Sequence, residues 1–101
     1  MSKPGKKIVQ KAASIPPAVL AASNEQWGVL IDAYLFDSVP VGNRFAATAY
    51  FDRSGTIEDG STVATPPVRV VDRRESFVLL QTSCGSDYYV IAASRSDGTE
   101  L

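Results

Sequence analysis

The chain has 101 residues, 45% of them hydrophobic and 21% charged, and a net charge of −1. That length supports one domain with one core, and that composition belongs to a chain that folds rather than one that stays disordered. The absence of histidine rules out Ser-His-Asp and Cys-His nucleophile systems and histidine metal sites, and the single Cys84 rules out a thiolate zinc site, a Cys-x-x-Cys redox pair and an internal disulfide.

Residues 1–26 read as a basic leader. Lys3, Lys6, Lys7 and Lys11 are all the lysines of the chain, and no acid precedes Glu25. The segment is expected to be a tail or to form a first short strand at Ile8-Val9. Ser14-Ile-Pro-Pro ahead of Ala18-Val-Leu-Ala-Ala-Ser predicts a short helix over 17–23, because proline fits the first helical turn. Pro16-Pro17 and Ser23-Asn-Glu interrupt what a secretory signal would need as an apolar run. Together with the lone cysteine, this leads us to expect a cytoplasmic protein.

From Trp27 to Arg95 the residues are those of a β domain, with 96–101 as a polar tail. Five strands are expected. The first runs Trp27 to Phe36, with Val29, Ile31, Ala33 and Leu35 on one face. A loop follows from Asp37 to Asn43, and the second strand, Arg44 to Phe51, alternates Phe45, Ala47, Ala49 and Phe51. Asp52 to Ser61 reads as turns around Gly55 and Asp59-Gly60. A third strand, Val68 to Asp72, follows Pro66-Pro67, and the preceding Thr62 to Thr65 is assigned to a sheet edge because of those prolines. Phe77–Thr82 and Tyr88–Ala93 form a hairpin across Ser83-Cys-Gly-Ser-Asp87. Phe77, Val78, Leu79 and Leu80 are apolar on both faces, so both faces must be covered. The expected fold is therefore all-β, a five-stranded antiparallel curled sheet or a small SH3-like barrel, with a short N-terminal helix or tail. No apolar run approaches the ~18 residues of a membrane span, since Asp32 and Asp37 divide the longest.

No constellation supports catalysis, and we expect a protein that is not an enzyme and has no cofactor or metal. Asp52 to Gly60 carries three acids but lacks the alternating spacing of a calcium loop, and Arg53 intrudes. The glycines make no phosphate-binding loop. Arg73-Arg74 and the pair Tyr88-Tyr89 suit contact with single-stranded nucleic acid. Against that, eleven acids face six arginines from Glu25 onward, a net −5 that repels a polyanion and suits a basic partner.

Trp27-Gly-Val-Leu, Arg44-Phe45, Asp59-Gly60, Val63-Ala-Thr-Pro-Pro-Val68 and Thr82-Ser-Cys-Gly-Ser-Asp-Tyr-Tyr-Val90 resemble a pattern in small β-rich accessory proteins of bacteriophages and prophages. The resemblance covers about residues 27 to 92 and implies a class that includes inhibitors of host defence, such as anti-CRISPR proteins. It assigns no residue a role. The expected function is thus a protein-interaction module that binds a host or phage protein through a sheet face or edge. The candidate binding residues are Tyr34, Tyr50, Arg73, Arg74, Tyr88 and Tyr89. The alternatives are a small single-stranded nucleic-acid binder and a homodimeric structural or accessory protein paired through an open strand.

Overall fold

The computed structural model describes residues 14–95. The basic segment with its expected Ile8-Val9 strand, and the polar segment 96–101, lie outside the described residues. The helix α1, Pro17–Ser23, forms where the sequence places it, with Pro17 in its first turn and Pro16 as its N-cap. Val19 and Ala22, three residues apart, are its buried face. Its C-terminal carbonyls are taken up at once: Asn24 N–H donates to Ala21 O, Glu25 N–H to Ala22 O, and the Trp27 indole Nε1 also donates to Ala22 O at 2.9 Å.

Six strands follow: β1 (Ala33–Val41), β2 (Arg44–Tyr50), β3 (Ser61–Ala64), β4 (Val68–Arg73), β5 (Val78–Thr82) and β6 (Tyr88–Ile91). They make one sheet in the order β3-β2-β1-β6-β5-β4, with every ladder antiparallel except β1 on β6, where Ala33, Tyr34 and Leu35 run parallel to Tyr89, Val90 and Ile91. The expected five antiparallel strands are corrected to six in a mixed sheet. The sixth is the edge segment before Pro66-Pro67, which pairs with β2 from Ser61 to Ala64. The parallel ladder joins segments more than fifty residues apart, and no turn between them announces it.

The first strand is displaced from its expected position. Residues 27–31 are not in the sheet: Gly28 turns the chain at φ 80° and Trp27 drops into the core. The expected loop Asp37 to Asn43 is mostly strand, because β1 absorbs one extra residue in a bulge between Phe36 and Val39, with Asp37 at φ 57°. Gly42-Asn43 alone makes the turn, with Gly42 at φ 64°. Pro40 is tolerated near this end, opposite Phe45.

The two edges of the sheet are joined by Thr65-Pro66-Pro67. Four residue steps from Ala64 to Val68 reach at most ~14 Å, whereas the edges of a flat six-stranded sheet stand ~24 Å apart. The sheet must therefore curl, and Val68 N–H donating to Asn43 O at 2.8 Å marks the seam. No ladder joins β3 to β4, so the curl does not close into the barrel that was one expectation. Both faces are nevertheless covered. Val19, Ala22, Trp27, Leu79, Val90 and Ala92 form a cluster on the outer face, beneath α1 and the segment after it. Leu35, Ala47, Val68, Leu80 and Ile91 form a second cluster on the inner, concave face. Among the described residues no helix is long and apolar enough to cross a membrane.

Candidate functional site

The concave face is not filled to its end. Ala33 and Leu35 of β1, Ala49 of β2, Val63 of β3 and Tyr89 of β6 all point into it, and three of these five side chains are no larger than valine. Together with Thr65 and Pro66 from the seam and Ile57 from the β2–β3 connection, they enclose a cavity of about 420 Å³, within the range of ligand-binding clefts. Its floor is apolar. Its mouth carries Asp32, Asp52 and Asp87 with Arg53 and Ser54.

Each mouth residue is positioned by the backbone around it. Asp32 precedes β1 and ties three segments together: its N–H donates to Tyr88 O, its Oδ2 accepts Tyr88 N–H at 2.9 Å, and its carbonyl accepts Arg53 N–H. Arg53 donates from Nε and Nη2 to Asp32 Oδ1 at 3.2 and 3.0 Å. Asp52 organises the loop it begins, its Oδ2 accepting the Ser54 hydroxyl at 2.6 Å and the N–H groups of Thr56 and Ile57 at 3.0 Å each. These donors hold its carboxyl below the usual range, the Ser54 hydroxyl foremost. Asp87 is set by the buried Thr82, whose Oγ1 accepts Asp87 N–H at 3.0 Å and whose N–H donates to Asp87 O. The Asp87 carboxylate makes no hydrogen bond or ion pair with another described residue. Burial pushes the Tyr89 phenol above its ordinary value, and the negative charges of Asp87, Asp32 and Asp52 push it further.

The six candidate residues taken from the sequence do not share one surface. Tyr34, Tyr50 and Tyr88 stand on the outer face against the helix-covered cluster. Tyr34 and Tyr50 are cross-strand neighbours, and their rings meet Phe51 and Phe36 edge-on. Burial raises the Tyr34 phenol, and the Tyr88 hydroxyl accepts a bond from Gln81. Tyr89 alone lines the cavity. Arg73 is exposed at the end of the edge strand β4. Arg74 lies 4.1 Å above the Trp27 ring, pairs with Glu25 and Asp72, and donates to Gln26 O at 3.0 Å, so it pins the segment after α1 to the β4–β5 turn.

Sequence reasoning missed Asp32, Asp52, Asp87 and Arg53 as one group. The available signal was Asp32, a lone acid between Ile31 and Ala33 at the head of an alternating run. Cys84 sits exposed in the β5–β6 turn, its thiol lowered to about 7 by the Ser86 hydroxyl and then by that of Thr82. Among the described residues, no group of three or more Cys, Asp or Glu side chains is arranged to hold a metal ion.

Two open edges flank the site. β3 is four residues long and ends at Thr65-Pro66-Pro67. β4 exposes Val70 and Val71, but its register shifts between Val70 and Asp72, and Arg69, Asp72 and Arg73 stand along it. Short length, prolines, a bulge and charges are the features that discourage strand addition. Comparison with protein-family models, with curated proteins and with solved structures gives no match.

Proposed function

We propose that the protein is a non-enzymatic interaction module that receives a side chain of a partner protein in the cavity of its concave face. One observation carries this reading: an apolar cavity of about 420 Å³ with a polar, charged mouth, in a sheet whose two edges are guarded against pairing. The Ser54 hydroxyl at its mouth is tied to Asp52 Oδ2 at 2.6 Å and to the Thr56 hydroxyl, which fits a role in holding the loop. The narrower form of the proposal follows from the resemblance of residues 27 to 92: a phage-encoded inhibitor of a host defence protein, such as a CRISPR effector, acting in the host cytoplasm.

A photo-crosslinking amino acid tests the reading when introduced singly in place of Val63 in the cavity, Val71 on the β4 edge and Leu30 beyond the helix. Irradiation in a lysate of the native host cell should give one discrete protein adduct from position 63 and none from position 71 or 30. Adducts confined to position 71 would move the interaction to the edge. Adducts with nucleic acid would replace this reading with the nucleic-acid alternative.

A further inference from the structure

We infer that the group received by the cavity is a lysine side chain, its methylene stem on the apolar floor and its ammonium among the carboxylates of the mouth. This rests on the cavity being the binding surface and adds the chemistry of what enters it. The floor of Leu35, Ala49 and Val63 provides apolar surface but no hydrogen-bonding side chain, which suits an unbranched hydrocarbon stem. Three carboxylates against one guanidinium give the mouth an excess of negative charge. Arg53 is already forked on Asp32, so the pair cancels locally and leaves Asp52 and Asp87 uncompensated. Burial first, and then the negative charges of Asp87, Asp32, Asp52 and Cys84, raise the Tyr89 phenol, and the same charges turn anionic groups away. Tyr89 adds a ring beside which a cation is favoured.

The choice of ammonium over guanidinium follows from how the oxygens are committed. A guanidinium gains most from a carboxylate with both oxygens available. Asp32 has Oδ1 on Arg53 and Oδ2 on Tyr88 N–H, while Asp52 has three donors on Oδ2 alone. Asp87 alone keeps both oxygens, so a guanidinium can fork only there, whereas an ammonium with three rotatable donors can take Asp87 or the remaining Oδ1 of Asp52 without a fixed fork geometry.

The test is a titration of the ¹⁵N-labelled full chain, followed by NMR, at low salt. The probes are Nα-acetyl-lysine N-methylamide, its norleucine and arginine counterparts, and hexylamine. The lysine probe should shift the amides of Ala49, Val63 and Tyr89 saturably, and the uncharged norleucine probe should bind about tenfold more weakly. Asp87→Asn should weaken lysine about threefold and leave thermal stability and norleucine binding unchanged. Equal binding of norleucine overturns the cation while leaving the cavity as a binding surface. Tighter arginine binding overturns the choice of lysine, and hexylamine binding without lysine binding makes the occupant a small free amine. If no probe moves these amides, the inference is lost. The cross-linking at position 63 then decides separately whether the cavity still meets a protein.

Discussion

The two faces of the sheet solve the same burial problem with opposite means. The outer face uses large rings under a separate lid: Trp27 meets Phe77 at 6.2 Å and 70°, Phe36 meets Tyr50 at 6.4 Å and 84°, and α1 seals Val19 and Ala22 completely. The concave face has no lid and must close on itself, so β1 and β2 line it with Ala33, Ala47 and Ala49. Small side chains let the strands bend together, but toward the Asp32 end they leave the volume that aromatic rings fill on the other side. The sealed face is thus the structural one, and the incompletely filled face has room for a ligand.

The largest expected effect lies where the concave face is filled. Leu80 is 0% exposed, and Leu80→Ala should cost about 3 kcal/mol in urea denaturation. The sharpest test of the contrast enlarges one alanine on each face. Ala22→Leu has no space beneath α1 and should lose about 2 kcal/mol. Ala49→Leu can grow into the cavity, should stay within about 1 kcal/mol of the natural chain, and should abolish lysine-probe binding. Equal losses at the two positions would mean that the concave face is as full as the outer one.

Trp27→Phe probes the lid alone. It removes the indole bond to Ala22 O and weakens the stacking of Arg74, so a loss of about 1 kcal/mol is expected, with binding at the cavity unchanged. A binding change would show that the two faces are coupled through the sheet.

Local signals explain which parts of this architecture could be read from the sequence. α1 has its prolines, β2 has seven alternating residues, and the β5–β6 hairpin has a Cys-Gly turn between two apolar runs, so each was legible where it stands. β1 was misplaced because Pro40 and Gly42-Asn43 look like one loop. The bulge at Asp37 and Ser38 lets the strand continue to Val41, and only the pairing with β2 reveals it. The cavity was not legible at all. Ala33, Ala49 and Val63 are ordinary strand residues, and they become the walls of a cavity only when a three-residue link between distant edges forces the curl. Arg73-Arg74 looks like one basic pair in the sequence, yet one side chain is exposed and the other is stacked on Trp27, a contact across more than forty residues.

The smallest effect concerns Cys84, beside the mouth rather than in it. The Ser86 hydroxyl lies 3.2 Å from Cys84 Sγ, and the thiol donates to Thr82 Oγ1, which is itself fixed by Asp87 N–H. Because the folded thiol is held at about 7, its reaction with iodoacetamide should rise through a midpoint near that pH. Ser86→Ala removes the larger cause and should move the midpoint upward, toward that of an ordinary thiol. The sign also bears on the site. Above the midpoint the turn gains one negative charge near Tyr89, whose phenol is raised further by that charge. Binding of the lysine probe should therefore strengthen slightly from pH 6 to pH 8, and Cys84→Ser should abolish the increment. A probe affinity that is flat across this interval in the natural chain would separate the β5–β6 turn from the electrostatics of the cavity and confine them to the three aspartates and Arg53.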